Sequence, residues 1–446
     1  MSKKLGLGLL ALAVMLSIYY FSRGNAKLEK QIKTQIHTEV TALKSKGFSV
    51  EEKKLSEKKE HFIISFDETA KIAQYLTEKG IKTKKEDIEI LKGLKVGVDV
   101  VYFPNSHTST SFDFYPISLP LAITSNIDDD AKKVLTQIEK MLEKKTFLMH
   151  VDVNKESSAF KGYMKDIDEV IKDRGEVKLV MNDMKFNGEL KENGLKSIHQ
   201  KLKHFSISAP DEFNMLFHNM TSNYTLTGKT AYDYKTDYSI ESIDITIKND
   251  IHAKIDTISI RSDAQVNNGL ANTTMDTKIN TIAFKENQQA TLLKNIQFNM
   301  LAKNLDVTAF DTLQKLDQND ERNTQAILEA LQQLISKNVQ FDIPNFSINN
   351  IEHNGQTLDG FTLTSSLSVD PTLDLATLET NPMVALSKVD AQLQITLSNA
   401  LFSLVAQQPK AIMLMMLFQP KDVNGQKVYK VEIKGGKLFV NGMPIL

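Results

Sequence analysis

Nine histidines, at positions 37, 61, 107, 150, 199, 204, 218, 252 and 353, are the side chains best able to hold a metal or carry a proton near neutral pH. None forms the HExxH spacing of a helical zinc site. His199 and His204 stand five apart in ENGLKSIHQKLKHF (192–205), where Leu195, Ile198 and Leu202 predict a helix. On such a helix the two rings point in different directions, so they read as solvated helix-end residues. DQNDERN (317–323) resembles a calcium loop but lacks glycine at the sixth position and has Leu328 at the twelfth, where glutamate is needed. It reads as a turn between helices. Asp128, Asp129 and Asp130 read as a helix N-cap with first-turn acids. No GxSxG nucleophile elbow occurs, and no carboxylate pair stands out as acid and base. No catalytic, cofactor-binding or metal-binding residue is assigned, and an enzyme is not expected.

Two further stretches invite chemistry. Gly435-Gly436 in YKVEIKGGKLFVNGMPIL (429–446) could be taken for a phosphate cradle, but that needs a helix N-terminus after the glycines, and here a strand follows. The pair is expected to turn a hairpin with Val431 opposite Val440, Glu432 opposite Phe439, Ile433 opposite Leu438 and Lys434 opposite Lys437. AIMLMMLF (411–418) is an apolar run too short to span a bilayer. Its simplest role is a buried helix on a sheet. The sharper expectation makes Met413, Leu414, Met416 and Leu417 the wall or lid of a hydrophobic groove, since methionine fills irregular apolar space; contact with a membrane surface is the third reading.

These stretches need elements to position them. The 446 residues are 41% hydrophobic and 24% charged, which suits a folded chain. Lys and Arg number 54 against 55 Asp and Glu, a net charge of -1 that gives no field for nucleic acid. The absence of cysteine excludes disulfides, thiolate metal sites and a lipid-modified N-terminal cysteine.

LGLGLLALAVMLSIYYF, 17 uncharged residues from Leu5 to Phe21, follows Lys3 and Lys4. As a helix it rises about 25 Å, close to a bilayer core of about 30 Å. Leu5, Leu9, Leu12 and Leu16 would face lipid, with Tyr19, Tyr20 and Phe21 at the interface. Gly24 and Ala26 offer small residues for a cleaved signal, beside an unfavourable Arg23 and aromatic run. The expectation is a single-pass anchor with a cytoplasmic N-terminus and the body outside the cytoplasm. Next, Leu28, Ile32, Ile36, Val40 and Leu43 form one stripe of an amphipathic helix, capped near Gly47. KSKGFSVEEKKLSEKKE (44–60) mixes signs as a solvated surface would.

Beyond residue 48 short alternating segments dominate, clearest in YSIESIDITIKND (238–250) and IHAKIDTISIRSD (251–263). Similar strands are expected near 60–67, 94–103, 146–153, 177–190, 222–234, 272–285, 290–303, 339–350, 357–369 and 386–397. An apolar–x–x–apolar–x–apolar pattern recurs in IESIDI (240–245), IDTISI (255–260), INTIAF (279–284), LKNIQF (293–298), IPNFSI (343–348), LDGFTL (358–363), MNDMKF (181–186) and LKHFSI (202–207). Its two-residue gap breaks strict alternation, so the strands should kink or bulge there, at similar heights. Helices are expected at 128–145, 192–205, 305–316, 322–337 and 399–419. The class is α+β: a large twisted, mostly antiparallel β-sheet with amphipathic helices packed on it, plus an N-terminal transmembrane helix. The expected division is an anchor or signal at 1–24, an amphipathic helix at 25–47 and an elongated β-rich body at 48–446.

The single N-terminal hydrophobic segment, FNMLAKNLDVTAFDTLQKL (298–316), LISKNVQFDIPNFSINNIEHNGQTLDGFTLTSSLSV (334–369) and the closing GGKLFVNGMPI (435–445) together resemble the YdgA-like bacterial envelope proteins, a family of unknown function. The resemblance implies an inner-membrane anchor and a periplasm-facing body. The strand array is also similar, more loosely, to the AsmA-like proteins implicated in lipid movement. The expected function is binding of a lipid or other hydrophobic ligand in an apolar groove; the alternative is a scaffold for envelope proteins.

Overall fold

The computed structural model describes residues 29–78, 85–125, 128–156, 158–172, 175–191, 194–248, 250–316, 323–407 and 419–445. These contain 22 strands and ten helices, and every described strand register is antiparallel. Among the described residues no helix is long and apolar enough to cross a membrane. The expected anchor residues, Leu5 to Phe21, lie outside them. The chain divides into two compact units, Met1–Asn223 and Tyr224–Leu446.

The first unit opens with helix α1 (Glu29–Ser45), strands β1 (Phe48–Ser56) and β2 (Lys59–Phe66), helices α2 (Thr69–Glu78) and α3 (Lys85–Glu89), and strands β3 (Lys95–Tyr102) and β4 (Thr108–Ser118). Helices α4 (Leu121–Thr124) and α5 (Asp129–Glu143) precede β5 (Met149–Asn154), β6 (Ala159–Met164), β7 (Ile167–Lys172), β8 (Glu176–Asn182), β9 (Met184–Lys191), β10 (Gly194–Ala209) and β11 (Phe213–Leu226). Strands β1 to β6 form a meander; β6 then pairs with β9, β9 with β10, β10 with β8 and β8 with β7. The stripe Ile32, Ile36, Val40 and Leu43 is buried in one core with Phe62, Ile64, Val96, Val98 and Phe112. Gly47 follows α1 with φ +98°, a conformation that suits glycine.

The second unit is a meander of longer strands: β12 (Tyr234–Ile247), β13 (Ile251–Asn267), β14 (Leu270–Glu286), β15 (Gln289–Asp306), β16 (Gln340–His353), β17 (Gln356–Val369), β18 (Val389–Ser398), β19 (Lys421–Val423), β20 (Gln426–Lys434), β21 (Lys437–Val440) and β22 (Met443–Pro444). Helices α6 (Val307–Lys315) and α7 (Thr324–Ile335) lie between β15 and β16, α8 (Leu375–Thr380) and α9 (Val384–Lys388) between β17 and β18, and α10 (Asn399–Val405) after β18. The closing hairpin has the expected register, from Val431–Val440 to Lys434–Lys437, with Gly435 and Gly436 both at positive φ. Two positive φ values are what a tight two-residue hairpin turn requires.

The recurring two-residue gap has a structural counterpart. Ladder pairing is interrupted along one row, Glu241, Thr257, Asn280, Asn295, Asn349 and Gly360, and resumes in the same register on the far side in all five strand pairs. Thr257 and Asn295 pass through the left-handed region, at φ +54° and +52°. At Gly360 an added Cβ would overlap the Ile348 carbonyl. A second interruption, between Ile343 and Phe346, coincides with the gap in IPNFSI. In the first unit Asp183, φ +57°, separates β8 from β9 within MNDMKF. Opposite it, β10 changes partner between Lys201 and His204, at the gap in LKHFSI.

Two expectations are corrected, and a third gains a strand. Residues 192–205 were expected to be helical, but 194–209 form β10. Leu195 and Ile198 flank a register shift and Lys203 stands at the partner change, so a stepped strand mimics helical spacing. Residues 222–234 are not one strand: β11 ends at Leu226, and 227–233 form a turn closed by Asp233. Its carboxylate accepts from the Thr230 N–H at 2.9 Å and the Val266 N–H at 2.7 Å. The mixed-charge surface at 44–60 contains β1, whose residues Glu51–Ser56 are exposed; charges on an edge strand discourage pairing with another chain.

Thr257 is exposed and β-branched in a conformation that costs most L-residues about 1–2 kcal/mol. Thr257→Asn should therefore raise stability in urea unfolding by about 0.5–1 kcal/mol. Gly360→Ala should lower it by about 2 kcal/mol or more, because backbone must move.

Candidate functional site

The second unit presents an extended apolar surface. Opposed residues in an antiparallel pair share a face, so the registers define side-chain rows. One is Ile240, Ile258, Ile279, Ile296, Ile348 and Phe361; across the interrupted row stands Ile243, Ile255, Ile282, Leu293, Ile351 and Leu358. Of these twelve side chains only Ile296, 8% exposed, is buried; the rest are half-buried. In the first unit the corresponding sheet residues Ile64 and Val96 are 0% exposed. The difference follows from cover. Helices α6 and α7 meet β15, and α10 meets β17, β18 and β20. The small core of Val339, Val369 and Leu373 packs with Ile335 and Val389 at the end where α6 to α9 lie, whereas α10 lies toward the opposite end, where Ser398 Oγ donates to Asp359 O. At the hairpin end of β12–β16 a cavity of about 500 Å³ is lined by Ile245, Phe284 and Leu292 together with Asp244, His252, Lys254, Lys285 and Glu352. Met413, Leu414, Met416 and Leu417, expected to wall a groove, lie outside the described residues.

A second cluster lies in the first unit on side chains not singled out by sequence. Opposed pairing sets Lys53, His61, Asp99, Asp113, His150 and Tyr163 in one row across β1 to β6. Asp99 and Asp113 are neighbours, an arrangement that like charge disfavours. Each is offset by a histidine: His61 Nδ1 lies 2.6 Å from Asp99, and His150 Nδ1 lies 2.6 Å from Asp113. His150 Nε2 also meets Asp152 at 3.2 Å, and its ring stacks on Tyr163. Lys145 Nζ donates to Asp99 at 2.8 Å and sits 3.8 Å above the Tyr115 ring, whose hydroxyl donates to Asp99. Tyr115 lies across Gly97, where a Cβ would strike the ring.

Lys145 ends α5 in an unusual way. Its N–H donates to Leu142 O and that of Thr146 to Met141 O, the two bonds of a left-handed helix stop. Glycine normally fills this position, yet here Lys145 has φ +52°. The side chain thereby reaches Asp99 and ties α5 to the sheet. Asp128 caps the other end, accepting from the Ala131 N–H at 2.8 Å, and Asp129 and Asp130 pair with Lys132 and Lys133, as expected for a helix start.

The shifts of Asp99, Lys145 and Tyr115 favour the charge state each has in water at neutral pH. Burial pushes the Asp99 carboxyl up, but hydrogen bonds from Lys145 and His61 outweigh it and keep it below the usual range. Burial would lower the Lys145 ammonium; Asp99 and Tyr115 raise it instead. Burial raises the Tyr115 hydroxyl. An activated base or nucleophile requires the opposite shifts. The hydrogen bond to Asp113 chiefly raises the His150 imidazole, against its burial. Among the described residues no set of three His, Asp or Glu side chains could hold a metal ion. His199, expected on a helix with His204, instead faces Asn223 from β10. Period-two alternation in VDVVY (98–102) and HVDV (150–153) was the available signal for the ionisable row.

The architecture defines an α+β protein built on long antiparallel meanders. Residues 125–445 match the bacterial protein family of unknown function DUF945, and the chain belongs to that family. No curated protein and no solved structure matches it. His61, Asp99 and Tyr115 precede the matched region, whereas His150 and both apolar rows fall within it.

The His150 imidazole is raised in the fold, so its stabilisation is complete below the unfolded value near pH 6.5 and fades as pH rises through the folded value. His150→Gln should thus depress the melting temperature more at about pH 5.5 than at about pH 9, where the two proteins should converge. Equal depression at both values would show that charge on His150 plays no part.

Proposed function

We propose that the second unit binds a lipid or similar elongated hydrophobic ligand along its apolar rows. The observation that carries this reading is the incomplete burial of eleven of the twelve opposed Ile, Leu and Phe side chains across β12–β17. Leaving so much apolar surface in contact with water costs roughly 25 cal/mol per Å², which a bound acyl chain would recover. The cavity at the hairpin end, about 500 Å³, falls within the range of small-molecule sites of about 300–1,000 Å³.

The reading includes a location. Residues 5–21 anchor the chain in the bacterial inner membrane, and the body faces the periplasm. The resemblance to YdgA-like envelope proteins and the length of that apolar segment support it. Chemistry on the ligand is not part of the proposal: Asp99, Lys145 and Tyr115 of the first unit are shifted away from the direction an activated base or nucleophile needs. A scaffold for envelope proteins would use the same face differently, covering it with protein.

Full-length protein extracted in mild detergent and examined by native mass spectrometry should carry bound lipid. Ile279→Asn, on the half-buried row, should reduce that lipid several-fold while the circular dichroism spectrum is unchanged. Lipid-free wild-type protein carrying a stoichiometric polypeptide instead would replace this reading with the scaffold.

A further inference from the structure

His204 and His218 face one another across β10 and β11. Their ring centroids are 5.2 Å apart with an interplanar angle of 61°. The contact of Phe205 with Phe217, and that of His199 with Asn223, fit the same antiparallel register, so residues 204 and 218 are directly opposed and share a face. Both histidines are half-buried. His204 Nε2 has one contact, Ser206 Oγ at 3.3 Å, and among the described residues no hydrogen-bond partner engages His218. Other histidines of the chain are committed differently: His61 and His150 to carboxylates, His353 to Thr291.

We propose that His204 and His218 form a two-imidazole site for a divalent first-row transition-metal ion, with water in the remaining positions. Metal–imidazole bonds of about 2.0–2.1 Å need the two donor nitrogens about 3 Å apart, within reach of rings at this separation by small side-chain rotations. Imidazole suits copper, nickel and zinc, and the affinity order of these ions places copper(II) first. The backbone supports the pair: Lys203 stands beside the partner change of β10, and Asn219, next to His218, has φ +45°. These interruptions fix where β10 and β11 present their side chains. A pair of rings packed only for apolar contact would show none of the binding described next.

The test uses tag-free, full-length protein with selectively labelled histidine, titrated with copper(II) chloride alone. One saturable equivalent should bind, and the His204 and His218 resonances should broaden first among the nine histidines. His204→Gln and His218→Gln should each weaken binding by about tenfold or more, while His199→Gln should leave it unchanged. Zinc chloride should bind the same site more weakly. The proposal is overturned if other histidines broaden first, if no saturable equivalent binds, or if both folded glutamine variants retain wild-type affinity. Should a variant unfold, the order of broadening in the wild-type protein decides alone.

Discussion

The second unit depends on keeping its strands in register through a row where the backbone cannot stay regular. A strand that steps alone loses ladder hydrogen bonds and turns its apolar side chains to the wrong face. Here six neighbouring strands step together at Glu241, Thr257, Asn280, Asn295, Asn349 and Gly360, so pairing resumes without an inserted residue. Asparagine suits position 295 because its short polar side chain tolerates left-handed backbone, and glycine suits position 360, where two backbones nearly touch. Apolar rows stand on both sides of the break, adjacent to it on one side and, on the other, beyond a polar row of Ser242, Asp256, Thr281, Lys294, Asn350 and Asp359.

The two units solve the problem of a sheet face differently. In the first, α1 and α2 supply Ile32, Ile36, Val40, Ile72 and Leu76 to a closed core. In the second, α6 to α9 lie at one end and α10 toward the other, and among the described residues their main sheet contacts are with β15 and with β17 to β21, not with β12 to β14. The first arrangement gives a stable platform on which an ionisable row can be held in fixed pairs. The second keeps apolar surface in reserve, which is the physical basis of the proposal that a ligand binds there.

Much of this was legible from residue pattern. The stripe of α1, the extent of α5, the strand pairing around Asn249-Asp250 and the closing hairpin all rest on local spacing that tertiary contacts did not override. The two-residue gaps marked where strands break, and breaks at similar heights are what the aligned row shows. Spacing misled at 194–209, because a strand with two steps repeats apolar residues as a helix does. The ionisable row was invisible as a unit: His61, Asp99, Asp113 and His150 lie on four strands, and only pairing brings them together. The opposition of His204 and His218 was hidden by the same helical reading.

The docking of α1 has a mechanical consequence. The stripe of α1 is locked into the core from Ile32, so the helix cannot act as a swinging stalk. If residues 5–21 sit in a bilayer, only the ten residues 22–31 separate that bilayer from the buried Ile32, a chain length of at most about 40 Å. The first unit would then spend its life within roughly one protein radius of the lipid surface. A protein so confined exchanges a search through volume for a search over an area, and any lipid it takes up comes from its own doorstep.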